Sequence, residues 1–332
     1  MNLNHGTKNV YLTDMNQLTK KVLICDYVHS NLLAGLEQIG FHVVYAPEIQ
    51  NKQVEEWLPG MDGVIINTKT PVRKPLMDKC PTLEFIGRLG VGMDIIDTDE
   101  AHRRDIKVIN TPGANANAVA EHMFGMLLAL FRKIPLADRS VREGNWLREK
   151  HRGREIGGLT IGIIGYGNTG SAFAGKFASW LTQIVAYDMY KVHYADHLRF
   201  VEETTLQRVM EESDVISLHV PLTDVTRGMV DSHFLNACKK GVVILNGSRG
   251  KVVDTGALIE GLQSGHVAGA CLDVLENEKL KTYSEIEKAH FASLKSMDNV
   301  ILSPHIAGWT VASKMNIANQ ILNGITGLYD LK

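Results

Sequence analysis

Three glycines near the middle of the chain have the spacing of a nucleotide-binding turn. Gly165, Gly167 and Gly170 spell GxGxxG directly after the apolar run TIGIIG and at the start of a helical pattern. In that context the first glycine permits a tight turn, the second lets the backbone approach a pyrophosphate, and the third allows close packing of helix on strand. The helix N-terminus then faces the anion, so Asn168 and Thr169 join the expected contacts.

An acidic residue follows at the position that such a motif requires. Asp188 closes the next apolar run, IVAYD, where a carboxylate accepts hydrogen bonds from the adenosine ribose. Because the same carboxylate repels a 2′-phosphate, the motif favours NAD over NADP. The alternative is a structural turn in which Asp188 caps a helix. Four residues are expected to form the buried face of the helix after the glycines: Phe173, Phe177, Trp180 and Leu181.

Three further residues each follow the end of an apolar run. Arg249 lies in ILNGSRG, Glu278 in CLDVLENE and His305 in ILSPHIAG. The carboxyl ends of parallel strands form the edge where open α/β sheets bind ligands, so all three could face one site. Taken singly, each has an ordinary explanation: a surface ion pair, a solvated loop acid and a buried polar residue. Their joint placement downstream of a nucleotide motif favours a functional site.

The elements that must position these residues alternate between strand and helix patterns. Short continuous apolar runs typical of strands buried on both faces are KVLICD (21–26), GVIIN (63–67), LEFIGRL (83–89) and KVIN (107–110). Helical spacing between them is seen at Leu32, Leu33 and Leu36, and at Ile95 and Ile96 with the following AHRR. This alternation predicts a doubly wound parallel sheet.

The second half repeats this architecture after a long helix. Apolar residues at helical spacing predict one helix from about 116 to 132 as a domain crossing. Six further strand patterns follow: TIGIIG, QIVAYD, DVISLHV, GVVILNGS, HVAGACL and NVILSPH. The tail after His305 is predicted to be a return helix that packs on the first domain, which makes that domain discontinuous.

Composition excludes several classes of protein. The 332 residues suggest about two domains, and 45% hydrophobic with 22% charged residues is typical of a globular chain. The 35 basic and 37 acidic residues give a formal charge of −2, too balanced for a dedicated nucleic-acid or membrane-surface binder. The expected partner is a small molecule.

Cysteine usage and the N-terminus point to a cytoplasmic protein. Cys25, Cys80, Cys238 and Cys271 form no CxxC pair and have no histidine at metal-ligand spacing. We expect thiols in a reducing compartment and no metal. The start, MNLNHGTKN, lacks the order of a secretory signal, and the longest apolar run is too short to span a membrane.

From about Lys21 onwards, the chain resembles the D-isomer-specific 2-hydroxyacid dehydrogenase family. The motifs agree in order and spacing: the glycine turn with Asp188, SLHVPLT (217–223), LNGSRGKVVD (245–254), DVLENE with SPHIAG, and GRLGVGMDIID (87–97). The resemblance implies an α/β fold with two doubly wound domains and a cleft between them. A Rossmann NAD-binding domain would cover 118–305, and a flavodoxin-like substrate-binding domain would combine 21–117 with 306–332.

The resemblance also implies roles in oxidation of a D-2-hydroxy acid or reduction of its 2-oxo acid. His305 would move the proton on the 2-oxygen, and Glu278 would bind the other imidazole nitrogen and stabilise the protonated ring. Arg249 would bind the substrate carboxylate with its planar fork and polarise the carbonyl. Backbone N–H groups around Val91 and Gly92 would hold the same carboxylate.

Further contacts to NAD are implied outside the glycine turn. Asp273 would meet the nicotinamide carboxamide, and Val220 and Pro221 would line the adenine. The remaining implied contacts are Gly247, Ser248 and Gly308. By analogy with relatives, the protein is expected to be a homodimer.

Within the family, phosphoglycerate dehydrogenases are the nearest in appearance, which makes 3-phosphoglycerate the first candidate substrate. Asn67 stands where those enzymes usually have an arginine, although Lys69, Arg73 or Lys74 could compensate. The alternatives are a glyoxylate or hydroxypyruvate reductase and, from another class, an NAD(H)-sensing binding protein. Lys279 follows Glu278 where the family normally has proline.

Overall fold

The computed structural model describes residues 20–195, 198 and 200–330. Within them the chain forms two compact units. The first unit holds residues 20–89, Ile95–Asn110 and 321–330, so it is discontinuous in sequence. The second unit holds Gly90–Asp94 and the described part of Thr111–Gln320.

A division of the chain by function is distinct from this division by packing. The functional division stays a prediction: an NAD-binding domain over 118–305, and a substrate-binding domain that combines 21–117 with 306–332. Residues 1–19, for which the sequence gives no clear period, lie outside the described residues.

The described part of the first unit contains one parallel sheet of five strands. The strands are β1 (Lys21–Ile24), β2 (His42–Tyr45), β3 (Gly63–Ile66), β4 (Phe85–Arg88) and β5 (Lys107–Ile109). Their order is β2-β1-β3-β4-β5, which is the flavodoxin-like order. Strand β2 was not predicted from the sequence. It is an edge strand with no fully buried residue, and its apolar run is only the three residues 43–45.

Four helices and part of a fifth cover this sheet in the described residues. They are α1 (Ser30–Gln38), α2 (Asn51–Trp57), α3 (Lys74–Met77), α4 (Thr98–Arg103) and the end of α12 (Val311–Leu328). The prediction that Ile95 and Ile96 are helical was wrong, because the Asp97 side chain caps α4 by accepting from Glu100 N. Ile321 and Ile325 of α12 are fully buried in the first unit.

The described part of the second unit contains one parallel sheet of seven strands. The strands are β6 (Thr160–Ile164), β7 (Gln183–Tyr187), β8 (Val201–Glu203), β9 (Val215–Leu218), β10 (Val242–Asn246), β11 (Val267–Leu272) and β12 (Val300–Leu302). The order β12-β11-β10-β9-β6-β7-β8 is the Rossmann order with one more strand. The predicted fold class is therefore confirmed. The edge strand β8, again without a fully buried residue, was missed.

The helices of the second unit are α5 to α11 and the first part of α12. Their bounds are α5 (Ala116–Phe131), α6 (Ile134–Arg142), α7 (Asn168–Gly175), α8 (Leu206–Glu212), α9 (Ser232–Ala237), α10 (Thr255–Ser264) and α11 (Glu285–Ser296). The predicted long helix is α5. The predicted buried face beyond α7 was wrong at Trp180 and Leu181, which are 38% and 92% exposed, because α7 ends at Gly175.

One histidine belongs to the core of the second unit. Nε2 of His219 lies 2.8 Å from Oγ of Ser217, and the ring centroid lies 5.2 Å from that of Phe173. Burial lowers the pKa of His219 to about 3. The folded protein therefore keeps this imidazole neutral in mildly acidic solution.

We expect His219 to reduce stability as the pH falls below its unfolded-state pKa of about 6.5. Between pH 6.5 and about 3 the unfolded chain binds a proton that the folded chain does not, so acidification favours unfolding. At pH 5 the cost is about 2 kcal/mol. Urea unfolding at pH 7.5 and pH 5 measures the loss of unfolding free energy. That loss should be smaller in His219→Gln than in wild type. An equal loss in both proteins would assign the acid sensitivity to other groups.

Candidate functional site

The loops after three neighbouring strands, β10, β11 and β12, meet at the carboxyl edge of the seven-stranded sheet. A Cβ atom on Gly250, in the first loop, would overlap the carbonyl oxygen of Leu275 in the second. The backbone N–H of His305, in the third loop, donates to the carbonyl oxygen of Asp273 in the second at 2.7 Å. The three loops are therefore in direct contact, and they carry Arg249, Glu278 and His305.

His305 and Glu278 form the hydrogen-bonded pair that the resemblance implies. Nδ1 of His305 lies 2.9 Å from Oε2 of Glu278, with the two side chains 42% and 44% exposed. A carboxylate only accepts, so Nδ1 carries the hydrogen, and Nε2 is left to exchange a proton with a ligand. His305 has φ +55°, the left-handed region that non-glycine residues adopt only when their surroundings hold them there.

The Asp273 carboxylate holds the backbone of the His305 loop. Oδ1 accepts from Oγ of Ser303 at 2.6 Å and from the N–H of Ile306 at 2.9 Å, and Oδ2 accepts from the N–H of Ala307 at 2.9 Å. The side chain of Asp273 is fully buried. These bonds fasten the loop on both sides of His305, and the predicted contact of Asp273 with the nicotinamide stays a prediction.

The guanidinium of Arg249 lies against the loop Gly90–Asp94. Nε donates to Oδ2 of Asp94 at 3.2 Å, and Nη1 donates to the carbonyl oxygen of Ser248 at 2.8 Å. A Cβ atom on Gly92 would overlap Nη2 of Arg249, so only glycine allows this approach. The two predicted substrate anchors, Arg249 and Gly92, are thus brought together, and Val91 beside them is 42% exposed.

Each of the three glycines in the GxGxxG turn is required for a different steric reason. Gly165 has φ +90°, and a Cβ atom there would lie 2.5 Å from the carbonyl oxygen of His219. A Cβ atom on Gly170 would overlap the carbonyl oxygen of Gly165. Gly167, the N-cap of α7, has no atom within 4 Å of its Cβ position. Tight turn, close packing and open approach are the three features that a pyrophosphate site needs, so the residues fit a dinucleotide.

The Asp188 carboxylate ties the end of β7 to the glycine turn. Oδ2 accepts from the N–H of Tyr166 at 2.8 Å, and Oδ1 accepts from the N–H groups of Tyr190 at 3.0 Å and Lys191 at 3.1 Å. A carboxylate has about four acceptor positions. The described residues that follow Asp188 form no helix for it to cap. Its three bonds to backbone N–H groups leave acceptor capacity for a ribose.

The comparisons with known proteins identify the family. Residues 124–307 match the model of the D-isomer specific 2-hydroxyacid dehydrogenase, NAD binding domain. The chain belongs to the D-isomer specific 2-hydroxyacid dehydrogenase family. It is 36% identical to a hydroxypyruvate reductase of Thermotoga maritima, over 85% of this chain and 89% of that protein. The predicted resemblance is confirmed, and NAD is the cofactor that the family's domain binds.

Two other relatives are a longer enzyme and a solved structure of similar length. The chain is 34% identical to a D-3-phosphoglycerate dehydrogenase of Archaeoglobus fulgidus over 93% of this chain, and it spans only 58% of that protein. A solved D-lactate dehydrogenase from Aquifex aeolicus, complexed with NAD and lactic acid, is 28% identical with a TM-score of 0.81. That comparison covers 94% of this chain and 96% of the solved one.

The other predicted NAD contacts of this family member follow strands or begin a helix at the same sheet edge. Val220 and Pro221 follow β9, Gly247 and Ser248 follow β10, Asn168 and Thr169 begin α7, and Gly308 follows β12. Gly308 is confined, because a Cβ atom there would lie 2.5 Å from Nδ2 of Asn115. Their contacts with NAD remain predictions.

Sequence reasoning missed two side chains that contact the predicted ones. Asp94 binds Arg249, and Nε2 of His122 lies 3.5 Å from Oδ1 of Asp273. Both lie far from their partners in sequence, so no local pattern could pair them. Asp94 does lie in the GRLGVGMDIID motif, which was the available signal.

Three basic residues were predicted to bind a substrate phosphate in place of the arginine that Asn67 replaces. All three have partners in the first unit. Lys69 Nζ lies 3.9 Å from Asp26 Oδ1, Arg73 Nη1 donates to Ile96 O at 3.4 Å, and Lys74 Nζ donates to Asp78 Oδ1 at 2.9 Å. Asn67 itself accepts from Nη1 of Arg88 at 3.2 Å. A phosphate would have to compete with these contacts.

We expect Gly167→Val to weaken NADH binding without destabilising the fold. The position is open and Gly167 has an extended backbone with φ −84°, so valine fits but fills the space for the pyrophosphate. Losing one charge-assisted hydrogen bond corresponds to about tenfold or more in affinity. Fluorescence titration with NADH and thermal unfolding measure both properties. Gly175→Val, at the equally open end of α7, is the matched control, and equal NADH affinity in the two variants would contradict the assignment.

Proposed function

We propose that this protein is an NAD-dependent oxidoreductase that interconverts a D-2-hydroxy acid and its 2-oxo acid. The observation that carries the proposal is the 2.9 Å pair of His305 and Glu278, on loops in contact with the loop of Arg249, in the unit that matches the family's NAD-binding domain. A proton donor and a carboxylate anchor at one sheet edge are what this reaction requires of the protein.

The chain's own residues bind the substrate and move its proton. Bound NAD supplies the hydride acceptor or, as NADH, the donor. Arg249 binds the substrate carboxylate and exchanges part of its contact with Asp94 for it, while the N–H groups of Val91 and Gly92 donate to the same carboxylate. In reduction, Nε2 of His305 donates a proton to the 2-oxygen, and in oxidation it accepts that proton. Glu278 keeps the ring oriented throughout.

3-Phosphoglycerate is the first candidate substrate, supported by the relatives named D-3-phosphoglycerate dehydrogenase. A 2-oxo acid without phosphate, such as hydroxypyruvate or glyoxylate, is the second candidate. It is favoured by the partners that already engage Lys69, Arg73 and Lys74, and by the hydroxypyruvate reductase relative.

A panel of 2-oxo acids tests both candidates. Oxidation of NADH is followed with phosphohydroxypyruvate, hydroxypyruvate, glyoxylate and pyruvate as substrates. Highest kcat/KM with the phosphorylated acid supports the first candidate, and highest kcat/KM with hydroxypyruvate or glyoxylate supports the second. No turnover with any of them, despite tight NADH binding, would overturn the proposal and favour an NAD(H)-sensing protein.

The cofactor preference provides a separate prediction at Asp188. We expect wild type to use NADH in preference to NADPH, and Asp188→Asn to narrow that ratio, because the negative charge that repels a 2′-phosphate is gone while an acceptor remains for the Tyr166 N–H. Ratios of kcat/KM for the two cofactors measure the effect. Wild-type preference for NADPH would refute the ribose assignment.

We also propose that the protein forms a homodimer through the surface around α6. Four large apolar residues within and just after α6 are exposed to solvent. They are Ile134 (54% exposed), Val141 (50%), Trp146 (78%) and Leu147 (45%). Such a patch is typical of an interface. Light scattering of wild type and Trp146→Glu tests it, with Leu181→Glu, an exposed apolar residue elsewhere, as the control.

We place the protein in the cytoplasm. All four cysteines lie in the described residues as buried free thiols, which fits a reducing compartment. Burial raises the pKa of Cys25 and of Cys238 to about 12, so neither forms a reactive thiolate at neutral pH. Across the described residues, none of the helices has the length and apolar character to cross a membrane.

A further inference from the structure

Glu278 lies in an exposed loop between β11 and α11, yet its carboxylate must stay on one nitrogen of His305. Its side chain is 44% exposed, so packing alone does not fix it. We propose that Asn277 is a positioning residue that holds Glu278 against His305, replacing the constraint that proline would provide at position 279. The inference rests on the proposed function, because it concerns the residue that orients the proton donor.

The side chain and carbonyl of Asn277 are bound on the downstream side of the loop. Nδ2 donates to Oε1 of Glu287 at 2.9 Å and to Oγ1 of Thr282 at 3.2 Å. The hydroxyl of Tyr283 donates to the carbonyl oxygen of Asn277 at 2.8 Å. Three separate contacts therefore fix the residue that directly precedes Glu278.

Asn277 also closes a turn around Glu278. Its Oδ1 accepts from the backbone N–H of Lys279 at 3.0 Å, the pattern in which an asparagine side chain binds the backbone two residues on. Glu278 is the central residue of that turn. Proline at position 279 would have no N–H to donate but would restrict the backbone through its ring. With lysine there, the N–H is present and Asn277 uses it.

The anchor of Asn277 is itself well supported. Glu287 lies in the first turn of α11, where Oε2 accepts from the N–H of Ser284 at 2.7 Å in a capping box. The N–H of Ser284 and the amide of Asn277 hold the pKa of Glu287 below its usual range. One carboxylate thus joins the helix N-terminus and the loop that carries Glu278.

The upstream side of the loop is fixed independently. Oε1 of Glu276 accepts from the N–H of Thr255 at 2.8 Å, at the start of α10. Gly250 packs against the carbonyl of Leu275. The upstream end of the loop is therefore held without Asn277. The bonds of Asn277 then set the direction of the Glu278 side chain.

The test combines Asn277→Ala with Glu278→Gln, singly and together. We expect Asn277→Ala to lower kcat by up to about 100-fold, the effect of misplacing a group by about 1 Å, with NADH affinity unchanged. In the Glu278→Gln background the same substitution should cost little more, because both act through one contact. The NMR signal of the His305 Nδ1–H proton should change in both single variants, because its hydrogen bond to Glu278 is weakened.

Control variants separate positioning from general damage. Asn117→Ala removes an exposed asparagine on α5 whose amide likewise donates to a glutamate, Glu121. It should leave kcat and the His305 Nδ1–H signal unchanged. Tyr283→Phe should reproduce part of the Asn277→Ala effect. Unchanged kcat and an unchanged His305 Nδ1–H signal in Asn277→Ala, or fully additive losses in the double variant, would overturn the inference. If Glu278→Gln itself changes neither property, the proposed function fails instead.

Discussion

Replacing His305 with alanine is expected to lower kcat for 2-oxo acid reduction by about 10²–10⁴-fold. The variant removes the only group of the His305–Glu278 pair that can donate a proton near neutral pH. NADH affinity should not change, because the glycine turn is built from other strands. Steady-state rates and NADH fluorescence titration measure the two quantities.

The backbone conformation at this position calls for a second variant. His305 has φ +55°, which alanine adopts at a cost and asparagine tolerates better. His305→Asn should therefore lose activity to a similar degree while keeping the loop. His233→Ala, on the exposed side of α9, is the histidine control. Wild-type rates in both position-305 variants would rule out the proton-transfer role.

Arg249→Ala is expected to lower kcat/KM for the 2-oxo acid by about 10- to 150-fold. The lost contact is a charge-assisted hydrogen bond to a carboxylate, worth roughly 1.5–3 kcal/mol. Arg249→Lys should recover only part of the loss, because an ammonium cannot present a planar fork. Steady-state kinetics with saturating NADH give the ratios.

The ion pair between Arg249 and Asp94 supplies the control for this prediction. Asp94→Asn removes the charge of the partner at 3.2 Å but leaves the guanidinium. If Arg249 acts by binding the substrate carboxylate, Asp94→Asn should not reproduce the loss seen in Arg249→Ala. Equal losses in the two variants would instead indicate that the ion pair only supports the loop structure.

Much of the fold could be predicted because buried parallel strands have a distinctive sequence. The inner strands are continuous apolar runs, whereas β2 and β8 are edge strands with no fully buried residue. VEE in β8 has no apolar run, while HVVY in β2 is rich in strand-forming residues and was a signal that could have been used. The failure at Leu181 has a different cause. Helical spacing continues past Gly175, but Leu181 adopts a positive φ, and tertiary structure determines where a helix ends.

The candidate site could be predicted to the extent that it depends on strand ends. Arg249, Glu278 and His305 each follow a strand, and sheet order brings neighbouring strand ends together. Contacts that depend on the path of a loop could not be predicted in this way. The pairing of Asp94 with Arg249 spans 155 positions, and the several bonds of Asn277 depend on where α11 begins.

The contact between Gly250 and the Leu275 carbonyl has a consequence for protein engineering. It leaves no room for a side chain at position 250, so a larger residue there would displace the loop of Glu278. A library meant to change which acid is accepted should therefore conserve 247–250 and 273–278. Diversity belongs at Val91, whose side chain is 42% exposed beside Arg249 and Gly92.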